Sequence, residues 1–397
     1  MKTLSQIALS VRPSATLAID AMYKQMRQDG VDVVGFGAGE PDFSTPDFVK
    51  LAGIQSICQN YTKYTPSVGT MELREAIGHR IQEDTGVGYR SDEIVVSNGA
   101  KTCIYAALRT LLDPGDEVLL PVPYYVSYIE LIRMAGGVPV LIQTREGEGF
   151  KVTAQQLREA ITAKTKCLIL NHPSNPTGMV YTRNELESLA QVCEQEDLYV
   201  ISDEIYGTLV YDGRKFISFS AVSSQAKMRT IIINGVSKTY AMTGWRIGYA
   251  AASREIAKVL GNYLGHCTGS PCAISQQAAK AALLGEQSCV KAMRDVFARR
   301  RDDMFHAISN MDGVRCLKPE GAFYLWMNIS ELIGQKLYGQ VITDGDHFAR
   351  LLLERGNVAV VPGSGFGCRE YVRWSYAVSD ETIHKGMERL RQFLKEG

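Results

Sequence analysis

From about Glu93 onward the chain alternates short β-branched runs with longer stretches of helical period, and that alternation restricts the fold more than any other property. The runs Ile94 to Ser97, Val118 to Pro121, Val138 to Thr144, Cys167 to Leu170, Tyr199 to Ser202, Ile231 to Asn234 and Ile247 to Ala252 read as strands. Lys101 to Leu112, Tyr125 to Ala135, Gln155 to Ile161 and Arg183 to Glu196 read as helices, with Asp113-Pro114-Gly115 as a turn. Strands separated by helices predict an α/β domain built on parallel strands with crossover helices. Gln287 to Met311 predicts a long charged helix leading out of it, with Arg299, Arg300 and Arg301 on a solvated face. Beyond it, the strands Gly321 to Asn328, Val358 to Val361 and Val372 to Tyr376 and the helices near His347 to Glu354 and Thr382 to Leu394 predict a smaller α+β unit.

A chain of 397 residues is long enough for two or three domains. Its 43 basic and 43 acidic side chains balance, so no net field recruits nucleic acid or a membrane surface, and a small-molecule partner is expected. The nine cysteines include no C-x-x-C pair and are expected as reduced core thiols of a cytoplasmic protein. Met1 to Ser14 lacks the pattern of an export signal, and no apolar run is long enough to span a bilayer.

Two glycine clusters test a nucleotide-binding reading. In Gly35-Phe36-Gly37-Ala38-Gly39-Glu40 the final fingerprint position is Glu40 and Pro41 follows, so no helix opens where a pyrophosphate needs one. Gly363-Ser364-Gly365-Phe366-Gly367 is expected as a turn. The histidines show no metal-ligand spacing, and G-x-S-x-G is absent. Four other segments lie at strand ends, where open α/β sheets hold ligands. Asn98-Gly99-Ala100-Lys101 offers free backbone N–H groups to a phosphate, or is an ordinary strand-to-helix loop. Asn171 to Gly178 is a polar loop after an apolar strand, or a plain turn. Asp203-Glu204-Ile205-Tyr206 places two carboxylates and a phenol at a strand end, where Asp203 could equally cap a helix. In Gly235 to Gly248, Lys238 stands among small and apolar residues, where burial would depress its pKa toward a nucleophilic amine.

Together these segments resemble the class I/II pyridoxal-phosphate aminotransferases of fold type I. Ser237 to Gly248 is similar to that family's cofactor-lysine signature, and Asn175-Pro176-Thr177-Gly178 and Asp203-Glu204-Ile205-Tyr206 match its two cofactor-contact motifs in order. The resemblance runs from Arg12-Pro13-Ser14-Ala15-Thr16 to Arg373, and within the family it is most similar to prokaryotic aspartate aminotransferases. It implies a mostly parallel seven-stranded sheet in a large domain, residues 46–290, and a smaller α+β domain from residues 1–45 and 291–397.

By that resemblance Lys238 holds pyridoxal 5'-phosphate as a Schiff base, Asp203 keeps the ring nitrogen protonated, and Asn175 and Tyr206 face the ring's phenolate oxygen. Tyr125 covers the ring. Arg246, the Gly99-Ala100-Lys101 turn, Ser237 and Tyr64 of a second subunit hold the phosphate, which implies a homodimer. Gly235 stands where many relatives carry a phosphate-binding serine. Arg373, with Gly39, is implied to bind the α-carboxylate of an amino acid or 2-oxo acid, and Lys101 near Thr16 the distal carboxylate of aspartate, because Tyr263 to Pro271 contains no arginine. Arg12 could serve that end or a larger dicarboxylate such as prephenate. Amino transfer in two half-reactions predicts ping-pong kinetics. A carbon–sulfur β-lyase, an aminotransferase for aromatic substrates and a non-catalytic cofactor-binding module stand as alternatives.

Overall fold

The structure is a computed structural model that describes residues 3–11 and 15–397, apart from the side chains of residues 15–18. The seven apolar runs form one sheet: β1 (Ile94–Ser97), β2 (Glu117–Val122), β3 (Val138–Gln143), β4 (Thr165–Asn171), β5 (Tyr199–Asp203), β6 (Thr230–Gly235) and β7 (Gly248–Ala251). Their spatial order is β1-β7-β6-β5-β4-β2-β3. β7 runs antiparallel to both of its neighbours, and the other pairings are parallel, so the sheet is mostly parallel as expected.

Alternate strand residues face opposite sides, and both sides are covered. Val95, Ile231 and Ile233 pack against the helices Ala100–Leu111 and Arg254–Cys267. Ile94, Val96 and Ile232 pack against Met71–Thr85 and Ala273–Leu284. Two-sided burial is why these strands read as continuous apolar runs rather than alternating ones. Because β1, β2, β4, β5 and β6 all run the same way, the loops after them emerge along one edge, where the segment leading into β7 also begins.

A second sheet is antiparallel, in the order Val361–Pro362, Tyr371–Ser375, Tyr324–Asn328 and Arg315–Cys316. It shares a core with the helices Ser288–Ser309, Gly345–Gly356 and Asp380–Glu396. Val34–Gly35 pairs in parallel with Val358–Ala359, tying the N-terminal segment to this part.

Four expectations are corrected. Of the three arginines of the long helix, Arg299 is exposed as expected, but Arg300 and Arg301 are not on a solvated face. Arg301 is 0% exposed, bound through both terminal nitrogens to Asp212 at 2.8 and 2.9 Å and stacked over Tyr211, and the buried Arg300 bridges Asp42 and Asp380. Arg299 also reaches Asp380, so the triplet is a network holding distant segments together. Asp203 caps no helix; its Oδ1 accepts from the Ile205 N–H at 3.2 Å within a turn. The cysteines are free thiols, but only Cys103, Cys167 and Cys193 are buried, while Cys58, Cys267 and Cys272 are exposed. The cluster at Gly363 is a short 3-10 helix, Gly363–Phe366, rather than a bare turn. Among the described residues no helix is long and apolar enough to cross a membrane, and no group of side chains could hold a metal ion.

Candidate active site

The loops along that strand edge and the second sheet enclose a cleft of about 690 Å³. Its walls bring together Gly39, Ala100, Lys101, Tyr125, Asn175, Asp203, Tyr206, Ser237, Lys238, Arg246 and Arg373. Eleven residues singled out across more than 330 positions of sequence therefore meet in one place. Gly99 lies directly behind, and Tyr64 lies elsewhere, 99% exposed on the surface of this chain. Arg12 falls outside the described residues, as does the side chain of Thr16 in the helix Ala15–Gln28.

Lys238 sits in a one-turn helix, Val236–Thr239, that starts where β6 ends. Its Nζ donates to the Gly39 carbonyl. Burial drives its pKa down to about 8, with Glu40 pulling the other way and Arg373 and Arg246 adding to the fall. Asp203 ends β5, and its Oδ2 accepts from the Tyr128 hydroxyl at 2.6 Å. Burial pushes its carboxyl up to about 6, against the opposing pull of those two hydrogen bonds. The charge of Lys238 offsets this only in part, and a protonated ring nitrogen beside the carboxyl would offset it further.

Arg373 projects from the second sheet, where it pairs with Trp326 and Val361. It is 5% exposed, donates to Asn175 Oδ1 at 3.0 Å and to the Gly37 carbonyl at 3.1 Å, and lies over the Tyr324 ring. Its Nε has no hydrogen-bond partner among the described residues. A buried guanidinium with an idle donor is suited to a carboxylate that arrives with a ligand.

The phosphate end is shaped by close packing. Gly99 has φ +95°, and a Cβ there would lie 2.3 Å from Arg246 Nη2, so only glycine lets the guanidinium lie against the turn before Ala100. Arg246 donates to the Thr243 carbonyl at 2.9 Å. At Gly235 a side chain would press on the Ile247 carbonyl at 2.8 Å and Gly248 Cα at 3.0 Å. No serine fits there without movement, which leaves Ser237, buried in the wall, and Thr243, whose hydroxyl donates to Glu40, as the hydroxyls this segment brings to the cleft. Lys101 stands with its Nζ 5.7 Å from the centre of the Tyr125 ring.

Two contributors fell inside segments read as secondary structure only. Tyr128 lies in the predicted helix Tyr125 to Ala135 and fixes Asp203, and Tyr324 lies in the predicted strand Gly321 to Asn328 and bonds the Tyr206 hydroxyl at 3.0 Å. No local sequence signal marks either, since their roles arise from contacts 75 and 118 residues away in sequence.

Residues 31–390 match the family Aminotransferase class I and II. The chain belongs to that family. An aspartate aminotransferase of Bacillus sp. strain YM-2 is 45% identical over 386 residues, 97% of each chain. A probable aspartate/prephenate aminotransferase of Aquifex aeolicus is 43% identical over 397 residues, 100% of this chain and 99% of that one. The crystal structure of the aspartate aminotransferase from Rhizobium meliloti superposes with a TM-score of 0.97 at 39% identity, covering all of both chains. The protein is thus an aminotransferase, and enzymes of this class work with pyridoxal 5'-phosphate. The cleft suits that group on its own evidence: an amine of lowered pKa, a buried acid of raised pKa, and a glycine cradle under Arg246.

Proposed function

We propose that this aminotransferase moves the amino group between aspartate and 2-oxoglutarate. The observation that carries the reading is Arg373, a buried guanidinium with no carboxylate partner among the described residues that lines the same cleft as Lys238, with Lys101 as a second cation in the wall. Dicarboxylic substrates match two cations. The names of the Bacillus and Rhizobium relatives support aspartate, and that of the Aquifex relative supports prephenate as a second reading.

Lys238 would hold the cofactor through its ε-amine, Asp203 would face its ring nitrogen, Asn175 and Tyr206 its phenolic oxygen, and Tyr125 its ring face. The Gly99-Ala100-Lys101 turn, Ser237 and Arg246 would receive its phosphate. When bound, the cofactor withdraws electrons from the substrate's α-carbon. Arg373 clamps the α-carboxylate, with the Gly39 N–H beside it, and this fixes which bond at the α-carbon faces the lysine. Lys238 Nζ, its pKa already lowered to about 8, takes the α-proton once it is free of the cofactor. One product leaves before the second substrate enters, so the kinetics are ping-pong.

The active form is a homodimer in this reading, with Tyr64 of each chain completing the other's phosphate site. Full exposure of Tyr64, and exposure of more than half of Leu51, Ile54 and Ile57 on the helix Asp47–Cys58, support a subunit face there. Residues 46–290 would act as one unit and residues 1–45 with 291–397 as another, closing over substrate. Thr16 and Arg12 would belong to the entrance. Nine cysteines with no disulfide among them suit the cytoplasm.

Reconstituted with pyridoxal phosphate, the protein should absorb in the near-ultraviolet to visible range and shift on addition of aspartate, and Lys238→Ala should lose activity by about 10⁴-fold or more. Comparison of kcat/KM for aspartate, glutamate, tyrosine and prephenate should place the first two ahead of tyrosine by about 10²-fold. Tyrosine in the lead would sink the aspartate assignment, and prephenate in the lead would select the second reading.

A further inference from the structure

The side of the sheet away from the cleft carries a second cavity, of about 600 Å³, which shares no lining residue with the first. Its charge is arranged by depth. Glu204 and Tyr249 form the floor, 1% and 4% exposed. Arg214, Lys215 and Lys291 form an exposed rim, with the half-buried Arg294. Lys215 and Lys291 have no ion pair among the described residues, and Arg294 has only Asp295 at 3.7 Å. Arg214 is paired to Glu320, and Arg80 in the wall is paired to Asp84.

The floor is unsatisfied on the cavity side. Ser202, Ser218 and the Phe219 N–H all donate to Glu204 Oε1, at 2.9, 2.8 and 3.2 Å, and Oε2 has no partner among the described residues. The Tyr249 hydroxyl likewise has none. Neither atom is sealed from solvent, so two polar atoms with no partner among the described residues stand open to whatever enters the cavity. A carboxylate at the bottom and free cations at the mouth complement a zwitterion, with an ammonium group inward and carboxylate outward. A plain anion would meet Glu204 at the floor, and a plain cation would have to pass the rim.

We propose that this cavity binds a free α-amino acid, its ammonium held by Glu204 Oε2 and the Tyr249 hydroxyl and its carboxylate by Lys291, Lys215 and Arg294. Burial pushes the Glu204 carboxyl up to about 7, and an ammonium partner would return it to the ionised form. The occupant would also touch the catalytic elements from behind. Glu204 follows Asp203 in the chain, and Thr208 of the cavity wall bonds Thr239, the neighbour of Lys238, at 2.9 Å. An occupant would therefore lie against the two segments that present the acid and the amine.

The test uses cofactor-loaded enzyme saturated with maleate, a dicarboxylate with no amino group that fills the substrate subsite. Each of the twenty proteinogenic L-amino acids is then titrated calorimetrically, with inorganic phosphate as a separate titrant. At least one amino acid should bind at one site per chain. The double variant Lys215→Glu/Lys291→Glu, in exposed positions, should weaken that binding at least tenfold and leave kcat/KM for aspartate unchanged. Tyr249→Phe, which removes one oxygen and keeps the packing, should weaken it about threefold. Failure of all twenty to bind, binding of phosphate alone, or binding indifferent to both variants would overturn the proposal. Because the substrate subsite is filled throughout, none of these outcomes depends on which amino acid the enzyme transaminates.

Discussion

Arg301 and Arg373 are both buried arginines, yet their surroundings differ in kind. Arg301 has its charge met within the chain by Asp212, by Asp302 and by the Pro319 carbonyl. Arg373 has an amide oxygen, a carbonyl, two aromatic faces and an idle Nε, and no carboxylate. The first arrangement fastens the long helix to the loop after Tyr211, and the second leaves binding capacity open toward a cleft. Burial alone does not separate a structural charge from a functional one; what remains unsatisfied around it does.

Substitutions can break this contrast if it is wrong. Arg373→Ala should lower kcat/KM for aspartate by about 10³-fold, about 4 kcal/mol, with little change in the urea midpoint. A large loss of stability there would show that Arg373 holds the fold as Arg301 does. Arg301→Met keeps much of the stem packing and removes the charge, so it should cost about 3 kcal/mol of stability while kcat/KM of the folded fraction stays within about twofold. A smaller effect is expected at Asp203. Its pKa is raised from 3.8 to about 6 by burial, so the folded chain holds that proton more tightly than the unfolded one. The resulting penalty is absent below pH 3.8, grows as the pH rises to about 6 and is constant above it. Without cofactor, Asp203→Asn should therefore stabilise the chain by about 2 kcal/mol at pH 7 and not at all near pH 3.5, while abolishing activity. Thermal melts of both proteins across that range measure it. Equal melting curves at pH 7 would mean that Asp203 is already satisfied.

The strand edge and its ligand loops were legible because a buried parallel sheet writes itself as unbroken apolar runs, each followed by polar turn residues. Asn175 stands in such a turn, Asp203 ends its strand, and Lys238 and Arg246 lie in the segment that follows the next strand. Tyr128 and Tyr324 were not legible as site residues, because an aromatic in a helix or strand reads as core whatever its hydroxyl reaches. Arg300 and Arg301 were misread for a related reason: Asp42, Asp212 and Asp380, which allow their burial, lie between 80 and 258 residues away. The helix Asp47–Cys58 was not foreseen at all. Its Leu51, Ile54 and Ile57 face outward around Val49, Gly53 and Ser56, and this blurs the period that a one-sided helix would show.

The helix Ser288–Ser309 has 22 residues in one unbroken run. At about 1.5 Å per residue it is a rod roughly 33 Å long. Lys291 and Arg294 stand on its first turns, and Arg300 and Arg301 further along grip Asp42, Asp380 and Asp212. A tilt of about 5° about its middle would move each end by roughly 1.5 Å, in opposite senses. If the C-terminal part rocks over substrate as proposed, that motion would be geared to the width of the basic mouth on the far side of the sheet, and a molecule wedged in that mouth would act as a brake on the stroke.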